Sequence, residues 1–314
     1  MKNATVLAPY APATPIFNEL HFPVIVPVIS TKGGEGKSTQ AGNLASFAAD
    51  AGLKTLLIDG DHSQPTASSM FALEYEAPCG LYELLTLSVN LDEPDSILSH
   101  TCIPGLDLIV SNDPRDRLTV AMLQAPDGRM RLRDRLKHPL FSRYDLIIID
   151  SKGSASVMLE LILLAATEFA LGVIKPILPD TREFLRGTVG VMACLLPLEA
   201  YGIRLPAVRI LINCMDNTTL DRQTLASLTD ILNFRQYPHA DSLNLSLLDT
   251  KIPLLEIYKA GHACGQPAHR LEHATARKIS LSAADTMHAL ACELFPHWTT
   301  AFNHLLATRK AGKK

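Results

Sequence analysis

One glycine-rich segment near the start of the chain constrains the fold more than any other stretch. It reads Ile29-Ser-Thr-Lys-Gly-Gly-Glu-Gly-Lys-Ser-Thr39. An apolar run with the composition of a strand, Val24–Ile29, leads into it, and a segment with the composition of a helix, Ala41–Ala49, follows it. A glycine-rich turn between a strand and a helix is the setting of a phosphate-binding loop. In such a loop Lys37 would reach the β- and γ-phosphates of a nucleotide and the Ser38 hydroxyl would ligate Mg²⁺.

The segment departs from the ordinary phosphate loop in two places. Thr31 stands where a glycine is usual, and Lys32 adds a second lysine at the start of the loop. This pattern resembles the deviant Walker A loop of the ParA/MinD family of ATPases. The resemblance implies ATP as substrate, and it implies that Lys32 reaches across a homodimer interface to the partner's nucleotide. The loop residues expected to contact the nucleotide are Gly33, Gly34, Glu35, Gly36, Lys37, Ser38 and Thr39.

Glu35 is unusual within that resemblance, because the family has a small apolar residue at this position. We therefore expect a carboxylate beside the phosphates or at the dimer interface.

A second motif follows one helix later. The apolar run in Lys54-Thr-Leu-Leu-Ile-Asp-Gly-Asp61 has no polar alternation, as in a strand covered on both faces, and it ends in Asp59 and Asp61. Parallel strands present their carboxyl ends at one edge of the sheet, so these carboxylates should lie near the phosphate loop. Two residues apart, they would point to the same side of an extended chain. The resemblance implies that Asp61 positions the attacking water and that Asp59 supports the magnesium shell.

A third motif, Tyr144-Asp-Leu-Ile-Ile-Ile-Asp150, predicts another buried strand. An apolar run ending in aspartate is typical of a Walker B strand, in which Asp150 would hold Mg²⁺. Related chains commonly have two prolines shortly after this aspartate, whereas this chain continues Ser151-Lys-Gly-Ser154. Lys152 adds a charge near the nucleotide, and the sequence leaves open whether it contacts phosphate or a partner subunit.

The base of the nucleotide is expected to lie near two later segments. Asn213, at the end of the predicted strand 207–214, resembles a family asparagine near the adenine, although it could equally cap a turn. The order Ile252-Pro253, Tyr258, Gly265 and 269–271 resembles the family's adenine-side loop. The sequence also places His262, Cys264, His269 and His273 close together, but their spacing fits no standard zinc pattern.

Strands alternate with helices along the chain, which predicts an α/β fold with one doubly wound, mostly parallel sheet flanked by helices. We expect residues 1–22 to be a flexible tail with neither a signal peptide nor a helix-turn-helix domain. Residues 23–314 would form one ATPase domain, with C-terminal helices at about 280–308 and a basic tail. We expect a helix over 181–196 after an exit loop at 176–180. The apolar stretch 157–178 should divide into a helix and a strand rather than span a membrane.

Charge is unevenly distributed along the 314 residues. Residues 251–314 contain nine Lys and Arg against four Asp and Glu, or +5, while the net charge of the whole chain is −3. A basic C-terminal part on an acidic body suggests a polyanion-binding face, although a solvated helix with a basic tail has the same composition. The six cysteines are widely spread, without a Cys-x-x-Cys pair, as expected of a protein in a reducing cytosol.

These features together predict an ATP- and Mg²⁺-dependent dimerisation switch that hydrolyses ATP slowly and is stimulated by a partner. The resemblance implies a role in DNA partitioning, in which the ATP-bound homodimer binds DNA without sequence preference and a ParB-like protein stimulates hydrolysis. Such a protein would be cytoplasmic and associated with the nucleoid when it holds ATP. The alternative is a MinD-like positioning ATPase at a membrane or on a protein cargo, but the last helix lacks the short amphipathic form of that group. A nitrogenase-reductase-like role would need bridging cysteines near the motifs, which this sequence lacks.

Overall fold

The computed structural model describes residues 22–61, 65–113, 115–272 and 281–311. The strands are β1 (Val24–Ile29), β2 (Thr55–Asp59), β3 (Leu73–Tyr75), β4 (Ser99–Thr101), β5 (Leu106–Ile109), β6 (Leu146–Asp150), β7 (Phe169–Ile174), β8 (Ala207–Met215) and β9 (Leu245–Pro253). The α-helices are α1 (Lys37–Asp50), α2 (Leu81–Thr86), α3 (Arg117–Gln124), α4 (Arg131–Arg135), α5 (Val157–Ala165), α6 (Leu178–Glu183), α7 (Val189–Leu195), α8 (Thr219–Asn233), α9 (Glu256–Cys264), α10 (Ala268–Leu271), α11 (Ala283–Leu294) and α12 (Thr299–Ala311). A π-helical segment, Phe184–Thr188, joins α6 to α7.

The strands form one sheet in the order β3-β4-β5-β2-β6-β1-β7-β8-β9. From β5 to β9 neighbouring strands pair in parallel, while β3 and β4 form an antiparallel edge. The three strands that end in the sequence motifs are adjacent, with β6 between β1 and β2. The prediction of a doubly wound, mostly parallel sheet is confirmed, and its topology brings the three motifs to one edge.

Helices cover both faces of the sheet because its central strands are apolar on both sides. Every residue of β6 is buried, and only Val24 of β1 is partly exposed. On one face, Val26 and Val28 pack with α1, α11 and α12. On the other face, Ile25 packs in the cluster of α2 to α5, and Ile29 packs in that of α5, α7 and α8. Burial on this scale is the main favourable term in folding.

Several element boundaries differ from the sequence expectation. The helix expected to begin at Thr181 begins at Leu178, because Pro179 is tolerated in the first turn. The expected exit loop is therefore shorter. Lys251–Pro253, expected to open a loop, lies in β9, an edge strand that accommodates a terminal proline.

The apolar stretch 157–178 divides between α5 and β7, as expected. Within the described residues, one continuous helical run, Leu178–Tyr201, is long and apolar enough to cross a membrane by length and composition alone. It carries charged residues in its first turns, and Phe184, Val189 and Met192 are buried in the core.

Two C-terminal helices, α11 and α12, lie within the region where helices were expected. Phe302 of α12 is buried and packs against Phe47 of α1, with ring centroids 5.9 Å apart. The expected tail falls outside the described residues except for Phe22, as does the end of the chain after Ala311.

Candidate nucleotide-binding site

The carboxyl ends of β1, β2 and β6 meet at one cavity of about 470 Å³. Asp150 pairs in register with Val28 on one side and with Asp59 on the other, so the phosphate loop and both acidic strand ends lie together. The cavity is lined by Gly33, Gly34, Gly36, Lys37, Ser38, Thr39, Asp61, Thr66, Ser151, Lys152 and Gly153. The structure thus brings residues from all three sequence motifs around a single concave site.

The phosphate loop turns into α1 at Gly36, whose φ of 90° lies in the left-handed region. A Cβ at this position would also lie 2.2 Å from Asn213 Nδ2, so only glycine fits. The Asn213 amide donates to the Glu35 carbonyl at 2.7 Å, and its Oδ1 accepts from Gln40 Nε2 at 3.1 Å. Asn213 therefore ties the phosphate loop to the end of β8.

The first helical residue, Lys37, is 6% exposed. Its Nζ donates to the Lys32 carbonyl at 3.1 Å, an arrangement that folds the side chain back over the loop. Burial lowers the pKa of Lys37, and the nearby carboxylates of Asp150, Asp61 and Glu35 oppose that shift. A buried ammonium beside the backbone amides of a glycine-rich loop at a helix N-terminus is a favourable setting for an anionic ligand.

The second lysine, Lys32, is held within its own chain. Its ammonium forms a salt bridge with the buried carboxylate of Asp180 in α6 and lies 3.8 Å from Glu35 Oε1. The Lys32 side chain is nevertheless 38% exposed, so it lies at the surface rim of the site rather than inside it. Any contact between Lys32 and a partner's nucleotide would require the Asp180 bridge to break.

Glu35 has a structural partner that the sequence did not indicate. Its side chain is buried, and Oε2 accepts from the Lys175 backbone N–H at 2.9 Å, directly after β7. Glu35 lines neither of the cavities described here. The expected placement beside the phosphates is therefore not what the structure shows for this side chain, which instead fastens the loop to the neighbouring strand.

Thr31, which replaces the usual glycine, contacts the π-helical segment. Its backbone N–H donates to Thr188 Oγ1 at 3.2 Å, and the two hydroxyl oxygens lie 3.3 Å apart. Gly187 allows this contact, because a Cβ there would lie 2.4 Å from Thr31 Oγ1. Together with the bridge between Lys32 and Asp180, this contact couples the phosphate loop to the helical run after β7.

The three candidate acidic residues occupy different environments. Asp150 is fully buried, and the Ser38 hydroxyl lies near its carboxylate, but neither carboxylate oxygen has a hydrogen bond of good geometry within the described residues. Burial and the charge of Asp59 raise the pKa of Asp150 to about 7, against the opposing effects of Ser38 and Lys37. Desolvation of this kind needs a compensating positive charge.

The Asp59 carboxylate bonds to the loop after β2 and does not line the cavity. Its Oδ2 accepts from both the N–H (2.6 Å) and the hydroxyl (2.7 Å) of Ser68, and its Oδ1 accepts from Asp61 N–H at 3.1 Å. Burial raises the pKa of Asp59 to about 6 despite these bonds. The chain leaves the strand after Asp59, so Asp61 lines the cavity while Asp59 lies behind it.

These residues fit a bound Mg²⁺. A fully buried carboxylate without a hydrogen bond of good geometry among the described residues, next to a serine at the first turn of α1, offers the hard oxygen ligands that this cation prefers. Ser38 and Asp150 would hold it, and Asp59 would support the surrounding loop. When bound, Mg²⁺ supplies positive charge against the β- and γ-phosphate oxygens.

A second, more apolar cavity of about 220 Å³ adjoins the first and shares Gly34, Gly36 and Thr39 with it. Its remaining lining residues are Gln40, Lys175, Asn213, Cys214, Pro253, Leu254, Leu255, Tyr258 and Lys259. Asn213 and the first part of the predicted adenine-side loop, Pro253 to Tyr258, therefore converge here, whereas Gly265 and residues 269–271 of that loop do not line the cavity. The pair of cavities has the shape of a polar phosphate site continuous with an apolar base site.

Other sequence candidates lie apart from the cavities. Within the described residues no group of three or more His, Cys, Asp or Glu is arranged to hold a metal ion. His269 is buried and bonded through Nε2 to Asp50 at 2.8 Å, and Cys264 is exposed. His273 and the His262 side chain lie outside the described part of the chain. Much of the basic C-terminal charge also lies there, and the described Arg270 is paired with Asp50.

Sequence reasoning did not identify Asp180, Ser151, Lys175 or Gln40 as site residues. Asp180 and Lys175 follow β7, whose carboxyl end adjoins that of β1 in the sheet. A signal was available, because residues just after every parallel strand meet at the same edge. It could not show which of those residues face the nucleotide and which face the loop.

The comparisons with known proteins agree with this geometry. Residues 24–177 match the family described as "AAA domain". The chain is 33% identical over 197 residues to the chromosome-partitioning ATPase Soj of Thermus thermophilus, covering 62% of this chain and 71% of Soj. It is 34% identical over 148 residues to the chromosome partitioning protein ParA of Myxococcus xanthus, covering 47% of this chain and half of that protein.

Solved structures show the same fold at lower sequence identity. A Cyanothece McdA variant in complex with ATP superposes with a TM-score of 0.67 at 20% identity, covering 90% of this chain and 97% of McdA. The Mg-ADP complex of the septum site-determining protein MinD from Pyrococcus horikoshii superposes with a TM-score of 0.62 at 20% identity, covering 87% and 96%. These two structures show the shared fold. With the three motifs gathered at one cavity, the similarity to the partitioning ATPase Soj establishes that the chain is an ATPase and belongs to the ParA/MinD family of P-loop ATPases.

Proposed function

We propose that this chain is a Mg-ATP-dependent dimerisation switch for DNA partitioning, whose ATP-bound dimer binds DNA without sequence preference. The observation that carries the proposal is the position of Lys32, at the exposed rim of a phosphate cavity rather than within it. A lysine at the rim can reach a nucleotide in a second copy of the chain. The partitioning relatives named above support DNA as the cargo.

Hydrolysis in this cavity would depend on positive groups placed where negative charge develops during the reaction. A water near Asp61 would attack the γ-phosphorus as the bond to the β,γ-bridging oxygen breaks, giving ADP and phosphate. Lys37 and the loop amides would offset the negative charge that develops on the leaving oxygen. Asp59, bonded to the Asp61 N–H, would fix the loop that carries Asp61. Loss of the γ-phosphate would then remove the contacts that hold the dimer.

The packing of the last described helix favours DNA, rather than a membrane, as the surface on which the protein acts. Phe302 of α12 is fully buried against α1, so this helix is part of the core rather than a detachable amphipathic anchor. A ParB-like protein would be the stimulating partner, and the protein would act in the cytoplasm on the nucleoid. DNA binding of this type runs through phosphate contacts and weakens steeply with salt.

The decisive experiment is co-sedimentation of the full chain with DNA in ATP, in ADP and without nucleotide, over a range of salt concentrations. Binding that needs ATP and is lost at high salt supports the proposal. ATP-dependent recruitment to anionic vesicles without DNA binding would instead support the MinD-like role.

The dimer is tested separately by Lys32→Ala. This variant should bind ATP but remain monomeric in sedimentation velocity runs with ATP, because the lysine that reaches the partner's nucleotide is gone. Lys54→Ala, an exposed lysine before β2 at the opposite end of the sheet, is the matched control and should dimerise as the wild type does. A Lys32→Ala protein that still dimerises with ATP would overturn the bridging role of Lys32.

A further inference from the structure

We propose that Ser151 and Lys152 form a clamp for the terminal phosphate of the bound nucleotide, acting within the same chain. The proposal rests on the proposed function for the identity of the ligand, and it assigns a role to the loop after β6, where prolines were expected from the family resemblance. Three observations support it: the close approach of this loop to the phosphate loop and, within the described residues, a buried hydroxyl without a hydrogen-bond partner and a lysine without a counterion.

The loop after β6 lies directly on the phosphate loop. A Cβ at Gly153 would lie 2.9 Å from the Lys32 carbonyl oxygen and 2.9 Å from both the N and Cα of Gly33. Backbone atoms cannot yield as a flexible side chain can, so glycine is required for this approach. Ser151 and Lys152 are thereby fixed at the wall of the phosphate cavity.

The Ser151 hydroxyl has no function in the fold that the described contacts reveal. Ser151 is 1% exposed and lines the cavity, yet its Oγ has no hydrogen-bond partner among the described residues. A buried polar atom without a partner costs free energy, commonly about 1–3 kcal/mol. A phosphate oxygen in the cavity would satisfy this hydroxyl.

Lys152 supplies the charge. It lines the same cavity and is partly buried, and no ion pair or hydrogen bond of its ammonium is found among the described residues. Lys37, the other lysine that lines the cavity, gives one of its three donors to the Lys32 carbonyl, and Lys32 at the rim is paired with Asp180. Lys152 therefore adds to Lys37 a second ammonium that a ligand in the cavity can reach.

The position along the nucleotide follows from the two cavities. The base cavity shares Gly34, Gly36 and Thr39 with the phosphate cavity, so the base enters from that side. Ser151, Lys152 and Asp61 line only the phosphate cavity. A nucleotide with its base in the apolar cavity would therefore extend its terminal phosphate toward them. The clamp should thus distinguish a triphosphate from a diphosphate.

The test compares the affinities of the full-length protein for ATP and ADP with fluorescent nucleotide analogues and Mg²⁺. Lys152→Ala should weaken ATP binding about tenfold and change ADP binding by no more than about twofold, as expected for loss of one charged hydrogen bond. Lys152→Arg should retain most of the preference for ATP, and Ser151→Ala should show a smaller loss that is again confined to ATP. Lys54→Ala serves as the surface control, and circular dichroism checks that each variant is folded.

Action within one chain is tested in a Lys32→Ala background, where the effect of Lys152→Ala should persist at the same size. An unchanged ratio of ATP to ADP affinity in Lys152→Ala, or an equal loss for both nucleotides, overturns the clamp while leaving the proposed function intact. Disappearance of the effect in the Lys32→Ala background overturns the assignment to the same chain. Failure of the wild type to bind ATP would overturn the proposed function together with the clamp.

Discussion

At the scale of single residues, the salt bridge between Lys32 and Asp180 controls whether the second lysine is available. The Asp180 carboxylate is buried, and its second oxygen has no hydrogen-bond partner among the residues described. In the proposed dimer, Lys32 would therefore exchange one ion pair for another when it reaches across the interface. The free-energy difference between these two states sets how readily the dimer forms.

Asp180→Asn is expected to promote dimerisation, because it removes the charge that holds Lys32 and keeps the shape of the side chain. A partly exposed pair contributes up to about 1 kcal/mol, so the ATP-dependent dimer should form at about fivefold lower protein concentration. Sedimentation velocity with ATP measures this shift. Asp134→Asn, at an exposed pair with Lys137, should leave dimerisation unchanged. Weaker dimerisation in Asp180→Asn would show that the bridge supports the interface.

Asp150 illustrates a residue kept for function against stability. Its buried carboxylate lies next to that of Asp59 and has a raised pKa. Asp150→Asn removes this charge and should stabilise the nucleotide-free protein by roughly 1–3 kcal/mol near pH 8. The gain should be smaller near pH 5, where the wild-type carboxyl is already protonated.

The same variant should lower ATP hydrolysis by about a hundredfold or more, since a carboxylate at the metal site is lost. Urea unfolding at both pH values, combined with a phosphate-release assay, measures both effects. Asp145→Asn, at the opposite end of β6, should show no gain in stability, because its carboxylate accepts from the Lys54 N–H at 2.8 Å. A destabilised Asp150→Asn protein would contradict this account of the site.

At the scale of elements, α1 is attached to the C-terminal part of the chain at its C-terminal end and midway along its length. At its C-terminal end Asp50 accepts from His269 Nε2 and Arg270 Nε, both at 2.8 Å. Midway along the helix, the Asn43 side chain accepts from the Ala268 N–H at 2.8 Å. The short α10 therefore attaches the C-terminal part of the chain to the helix that carries Lys37.

Asp50→Asn tests this attachment. In the wild type, burial would raise the pKa of Asp50. The hydrogen bonds and charge interactions of its carboxylate with Arg270 and His269 outweigh burial and hold this pKa well below its ordinary value. A lowered folded-state pKa means that the contribution is fully present above the ordinary pKa of 3.8 and is lost only as pH falls through the folded-state value.

We therefore expect Asp50→Asn to cost roughly 3 kcal/mol at neutral pH, with a constant difference down to about pH 5 that narrows only in stronger acid. Chemical unfolding across this pH range provides the measurement. Asp241→Asn, at an exposed position in the loop before β9, is the matched control and should match the wild type. A difference in the free energy of unfolding that narrowed between pH 7 and pH 5 would contradict the assignment to Asp50.

At the scale of the whole molecule, the parallel sheet explains why residues spread over more than 200 positions form one site. The order β2-β6-β1-β7-β8-β9 places the ends of six strands side by side, and the site residues lie at or after those ends. Because neighbouring parallel strands share a direction, the sequence motif after each strand was enough to predict their convergence. The short antiparallel edge of β3 and β4 and the edge strand β9 have weaker patterns and were not predicted.

The sequence by itself determined the sheet class, the phosphate loop and the acidic strand ends, because strand-turn-helix patterning and buried apolar runs are local properties of the chain. Only the tertiary structure decided which charged side chains pair with one another and which face the cavity. It placed Glu35 against the Lys175 N–H, paired Lys32 with Asp180, moved Asp59 behind Asp61 and left Ser151 and Lys152 facing the phosphate cavity. The contacts of Glu35 and Lys32 join groups from different strand ends, and the position of Asp59 relative to Asp61 depends on how a loop turns. Spacing along the chain does not encode which of several neighbouring charges lie within hydrogen-bonding distance.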